Sequence, residues 1–145
     1  MYAYSGEHYK IADKVRYINN ELYTDQPDGL SGNEDCGQMS AWYILSSMGF
    51  YPVNPSNGAY VFGSPLFDEV VLDIPGKKQF KISAKNNSDK NIYIQSVSLN
   101  GEDHKYSYIT HKEILKGGEL EFTMGPKPNK DFGKEKKYRP ESIVY

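Results

Sequence analysis

Gly32-Asn33-Glu34-Asp35-Cys36-Gly37-Gln38-Met39-Ser40-Ala41-Trp42-Tyr43-Ile44-Leu45-Ser46-Ser47-Met48-Gly49 is the stretch whose reading decides the fold. Asp35 and Gln38 stand at capping-box spacing, and Gly49 falls where a left-handed residue closes a helix. Pro52 follows soon after and enforces the stop. The pattern predicts a helix from Asp35 to Met48. Met39, Ala41, Trp42, Tyr43, Ile44, Leu45 and Met48 leave it almost no polar face, which predicts burial all round. So short a chain offers few elements to cover such a helix, so its neighbours are expected on chain outside these 145 residues.

Upstream, Ile11, Val15, Ile18 and Leu22 recur at helical spacing within a segment from about Glu7 to Tyr23. Lys10, Lys14, Arg16 and Glu21 occupy the other faces of this amphipathic helix. Asp25-Gln26-Pro27-Asp28-Gly29 ends it with turn chemistry. Met1 opens abruptly onto Tyr2-Ala3-Tyr4, as an internal cut would.

Downstream the rhythm changes to alternation. Val70, Leu72 and Ile74, then Phe80, Ile82 and Ala84, then Leu120, Phe122 and Met124 each mark one face of a strand. In Ile92 to Leu99 the apolar phase slips near Gln95-Ser96, which a β-bulge would absorb. Pro75-Gly76, Asn86 to Asp89, Asn100-Gly101 and Gly117-Gly118 supply the turns. Two helices followed by such strands give an α+β class with an antiparallel, sandwich-like sheet. The expected divisions are residues 1–55 helical, 56–126 β-rich, and 127–145 a basic, flexible tail. That tail carries five Lys and one Arg between Lys127 and Arg139, with Asp131 and Glu135 opposing them.

Composition excludes several function classes. A net charge of −2 argues against nucleic acid as a partner, since phosphate recognition needs a basic surface. No apolar run reaches membrane-span length, and no signal pattern opens the chain. One cysteine excludes an internal disulfide and a cysteine-built zinc site. Thirteen Tyr and six Phe suit strands first, although carbohydrate-handling domains share the bias.

Chemistry concentrates at Asn33-Glu34-Asp35. Two adjacent carboxylates between glycines sit at the mouth of the predicted helix, where free amides and a partial positive charge hold them ionised. Such a carboxylate suits general-base activation of water or ligation of a hard cation such as calcium. By spacing alone, a mere helix cap at Asp35 is the more economical reading. Cys36 reads as a buried, inert thiol, and His8, His104 and His111 show no paired motif.

Gly29-Leu30, Gly32-Asn33-Glu34-Asp35 through Trp42-Tyr43, and Gly49-Phe50-Tyr51-Pro52-Val53 resemble the signature segment of glycoside hydrolase family 92. Further blocks follow in order at Gly63 to Asp68, Tyr93 to Ser96, Leu99-Asn100-Gly101, Ile109-Thr110-His111 and Met124-Gly125. The resemblance implies a calcium-dependent, inverting exo-α-mannosidase that trims terminal mannose from glycans, with α-1,2 the expected linkage. It implies an N-terminal β-sandwich and an (α/α)₆ barrel, with this chain a fragment comprising the last two barrel helices and the β-rich segment after them. Asp35 matches the family's general base. Asn33 stands where many members carry an assisting Asp, and Glu34 and Gln38 fall where sugar contacts are expected. Asp35 or Glu34 is also a candidate calcium ligand. The acid is expected on upstream chain, and a periplasmic or extracellular setting and self-association through exposed helices complete the expectation. The alternative is a non-catalytic carbohydrate-binding or structural β-rich module, which predicts coplanar aromatic rings exposed on the sheet.

Overall fold

The computed structural model describes residues 1–142. Residues 143–145, the end of the expected tail, lie outside the described residues. The chain opens on α1 (Tyr2–Ser5) and a 3₁₀ turn at His8–Lys10, which leads into α2 (Ile11–Glu21). The face that α2 buries is Ala12, Arg16 and Asn19, while Ile11, Val15, Ile18 and Leu22 are only half covered. Periodicity placed Arg16 on a polar face; instead it crosses to the sheet side. Its guanidinium donates to Ser64 Oγ at 2.9 Å, to the Pro65 carbonyl and to Asn87 Oδ1. A guanidinium carries enough fixed donors to be buried when acceptors converge on it.

α3 runs from Gln38 to Ser47 and so begins three residues later than the capping-box spacing predicts. Within the described residues α3 is covered only in part, in line with neighbours expected on chain outside them. Ile44 is 54% exposed, Trp42, Tyr43 and Met39 are half-buried, and the fully buried positions are Ser46 and Ser47. The reason is backbone contact, since the Leu66 amide donates to the Ser47 carbonyl at 2.9 Å. Small side chains admit that approach, so the C-terminal end of α3 docks while its N-terminal end projects. Gly49 does close the helix as expected, at φ 103° with its amide donating to Ser46.

β1 (Phe50–Asn54) and β2 (Ala59–Phe62) form a hairpin that spans the boundary expected at residue 55. β3 (Glu69–Ile74), β4 (Lys78–Lys85), β5 (Tyr93–Leu99) and β6 (Glu102–Asp103) follow. β7 (Tyr108–Thr110), α4 (His111–Ile114) and β8 (Gly118–Gly125) come next. One sheet has the order β1-β2-β7 and the other β3-β4-β8-β5-β6. The class is α+β, with two sheets over one core. The alternating residues point inward as read: Phe80, Ile82 and Ala84 on β4 and Leu120, Phe122 and Met124 on β8 are all buried. The register of β5 against β8 shifts between Ile94 and Ser96, which is the slip near Gln95. Every pairing is antiparallel except β4 with β8, which run parallel. Turn signals reveal only neighbours in sequence, and β4 and β8 are joined through β5, β6, β7 and α4.

Phe62 meets Phe122 edge-on at 5.1 Å, joining the two sheets, with Phe50 and Ile109 beside them. The stretch expected to be a flexible tail is docked against this core. Asn129 donates to the Gln95 carbonyl at 2.8 Å, Phe132 packs on the core, and the Ser107 amide donates to Tyr138 at 2.9 Å. Its lysines face outward, so charge counting alone misses the anchoring residues between them.

His8 is buried beneath this segment, 5.0 Å from the Phe132 ring and edge-on to it. Its Nε2 lies 2.9 Å from the Phe62 carbonyl, which can only accept, so that nitrogen carries the hydrogen. Burial drives the imidazole down from 6.5 to about 4, against a smaller opposing pull from that hydrogen bond. As pH falls through 6.5 the unfolded chain takes up a proton that the folded chain refuses. The stability contributed by neutral His8 is whole above 6.5 and drains between 6.5 and about 4. A loss of about 3 kcal/mol over that window is expected. Urea titrations across that pH range should show it, and His8→Phe should flatten the slope. An unchanged slope in the variant would assign the acid sensitivity elsewhere.

Candidate active site

The segment before α3 is held from both sides. Tyr23 forms an isolated antiparallel bridge with Leu30, and the Thr24 amide donates to Gly29 across the turn at 2.9 Å. The Tyr23 hydroxyl donates to the Met39 carbonyl at 3.0 Å, and its ring stacks on Trp42 at 5.7 Å and 12°. Tyr43 lies 4.9 Å from Tyr23, and Tyr51 lies 6.3 Å from Trp42. Burial, and then the negative charge of Glu34, push the Tyr23 phenol up. These four rings fix the first turn of α3 against α2 and β1.

On this support the backbone makes one left-handed turn. Asp35 has φ 42°, Cys36 61° and Gly37 84°. Gly37 occupies that region freely, while each non-glycine residue costs about 1–2 kcal/mol there. Strain of this kind persists only where surrounding contacts impose it, and it gathers at functional sites. Cys36 is exposed rather than buried, because the turn throws it outward.

The capping box expected from Asp35 and Gln38 is not formed, and no side chain caps α3 from the Gly37 position. Asp35, Asn33 and Gln38 are exposed, and the Asp35 carboxylate and Asn33 amide have no hydrogen-bond partner among the described residues. Gln38 Nε2 donates to the Tyr51 hydroxyl at 3.4 Å. Glu34 differs from the others: it is half-buried and turned back toward the helix. Its Oε1 accepts from the Ser40 amide at 3.0 Å and its Oε2 from Ser40 Oγ at 2.9 Å. Ser40, Tyr23 and Tyr51 are the supporting residues that sequence reading missed. The Glu34–Ser40 separation of six residues belongs to no capping motif.

A cavity of about 190 Å³ opens between α1, α2, α3 and the hairpin, lined by Tyr2, Val15, Trp42, Phe50, Tyr51 and Val53 among others. It shares Trp42 and Tyr51 with the aromatic support but none of Asn33, Glu34, Asp35 and Gln38. Among the described residues no three His, Cys, Asp or Glu side chains group as a metal site, so this segment does not by itself fit calcium. The cluster of Tyr106, Tyr108 and Tyr138 does not form the coplanar sheet aromatics that a carbohydrate-binding module would present. Tyr106 meets Tyr108 at 76° and Tyr138 at 89°, edge to face.

The site thus consists of an unpartnered carboxylate on a strained turn at a helix mouth, backed by stacked aromatics. The sequence model of the glycosyl hydrolase family 92 catalytic domain matches residues 1–126, and the chain belongs to that family. An α-mannosidase of family 92 from Bacteroides thetaiotaomicron, solved with mannoimidazole, superimposes with TM-score 0.92 at 39% identity, over 98% of this chain and 19% of that one. A family 92 inverting mannosidase of the same organism gives 0.91 at 41% identity, over 97% and 19%. An uncharacterized secreted glycosidase of Arthroderma benhamiae is 30% identical over 128 residues, 86% of this chain and 16% of its own length. The chain thus spans about a fifth or less of the length of these relatives.

Proposed function

We propose that this segment supplies the general-base wall of an inverting exo-α-mannosidase that acts within a chain of the relatives' length. The observation that carries the reading is Asp35: its carboxylate is exposed, unpartnered and held on a left-handed turn at the mouth of α3. Inversion needs a base to activate water on one face of the sugar and an acid on the other, with the carboxyls about 6.5–9.5 Å apart. Asp35 is the base in this reading, and Asn33, two residues before it, orients the water or the base. The acid belongs to residues outside this chain. In this reading Gln38 meets the sugar, while Glu34, turned toward Ser40, serves the loop.

Calcium would take at most part of its oxygen shell from Asp35 or Glu34, with the other ligands on residues outside this chain. The substrate is a glycan with terminal α-linked mannose, α-1,2 foremost. A secreted or periplasmic setting is supported by the fungal relative named as secreted. No described helix is long and apolar enough to cross a membrane. The exposed flank of α3 at Ile44 is the surface that the remaining catalytic domain, or a second copy, would cover.

The reading is tested by following an aryl α-mannoside by proton NMR with an enzyme of the relatives' length that carries this segment. β-Mannose should be the first anomer to appear, and the 145-residue chain alone should not turn the substrate over. First release of α-mannose would overturn the inverting assignment, and turnover by the short chain would place the acid within it.

A further inference from the structure

We propose that Glu34 is a positioning residue whose carboxylate clamps Ser40 and so frees Asp35 to act as base. The inference rests on the assignment of Asp35 above and assigns its neighbour a separate task. The first four amides of a helix have no partner within it. In α3 these are Gln38, Met39, Ser40 and Ala41. The Glu34 carbonyl accepts from Gln38 at 3.1 Å and from Met39 at 3.4 Å. The Glu34 carboxylate accepts from Ser40 through its amide and its hydroxyl. Gly37 accepts from Ala41 at 2.9 Å.

One residue thus serves three of the four donors, and none falls to the Asp35 side chain. The clamp spans the left-handed residues Asp35, Cys36 and Gly37, so it also sets how that turn projects. Tyr23 holds the adjacent Met39 carbonyl and fixes the far side of the clamp. Each Glu34 oxygen accepts one of these bonds, so the carboxylate is oriented toward the helix. Two adjacent carboxylates therefore divide the work: Glu34 completes the helix and Asp35 faces outward.

The test is a kinetic cycle on an aryl α-mannoside, in an enzyme of the relatives' length. Glu34→Ala should lower kcat by roughly 10–100-fold through misplacement of the base, with KM little changed. Ser40→Ala should cost less, and the double variant should be no worse than Glu34→Ala, because both changes break one contact. Glu34→Gln keeps an oxygen for the Ser40 amide and should recover part of the loss. It also carries the cycle if Glu34→Ala does not fold. A raised KM at unchanged kcat would make Glu34 a sugar contact and overturn the proposal, as would fully additive losses. Asp35→Asn in the same assay separates the two readings. Its retention of activity removes the base assignment, whereas an inactive Asp35→Asn beside an unaltered Glu34→Ala removes only the clamp.

Discussion

Asp35→Asn, made in an enzyme of the relatives' length, should cut turnover by roughly 10²–10⁴-fold while leaving the melting temperature unchanged. Turnover is the readout that separates the two roles this residue can hold. A cap needs only a side-chain oxygen, which asparagine keeps, so a cap would lose neither stability nor rate. A base that loses its carboxylate forfeits proton abstraction and costs little in stability. The structure assigns no hydrogen bond to the Asp35 side chain, and the residue is exposed, so stability has little to lose. Asparagine also tolerates φ 42° at least as well as aspartate, so the turn should survive the change. Near-normal turnover would make Asp35 a structural residue and return the base to another carboxylate.

Arg16→Met should destabilise the chain by roughly 3 kcal/mol or more, lowering its melting temperature by about 10 °C. Arg16 is 8% exposed and reaches from α2 to the segment joining β2 to β3 and to the turn after β4. Its acceptors are themselves tied in: Ser64 Oγ donates to the Ile92 carbonyl at 2.7 Å, and the Asn87 amide donates to Leu66 at 3.0 Å. Methionine replaces the aliphatic stem but strands the Pro65 carbonyl and Asn87 Oδ1 without a donor, and that desolvation is the main cost. Arg16→Lys keeps the charge without the fork and should recover only a minor part. Thermal unfolding of the three proteins decides it. A methionine variant as stable as the parent would show that water or side-chain rearrangement satisfies those acceptors.

Several elements were legible because local chemistry and tertiary demand agree. The strands β4 and β8 carry their buried residues, and β3 its half-buried ones, where alternation says they should, because a period of two leaves one face for the core. The slip at Gln95-Ser96 shows in the apolar phase because a bulge must shift it. Asn100-Gly101 joins β5 to β6 with both residues at positive φ, as a two-residue hairpin requires. One signal was present and overlooked: Thr110-His111-Lys112-Glu113 is a capping box, and the structure forms both of its hydrogen bonds at α4. The same logic applied to Asp35 and Gln38 failed, because Asp35 and the two residues between them are left-handed and Glu34 takes the donors instead.

The amino-acid pattern by itself determined the α+β class, the strand faces, the turns and the family signature around Asp35, all of which depend on short-range spacing. It placed Asn33, Glu34, Asp35 and Gln38 together because they are neighbours in sequence. Only the tertiary structure decided what required contacts between distant segments. These are the parallel pairing of β4 with β8, the docking of Phe132 over His8 and the burial of Arg16 among Ser64, Pro65 and Asn87. The orientation of the two carboxylates belongs with them. Glu34 and Asp35 are adjacent and chemically alike, so spacing cannot tell which faces inward. The Tyr23–Trp42 stack and the left-handed turn it supports turn one toward Ser40 and the other toward solvent.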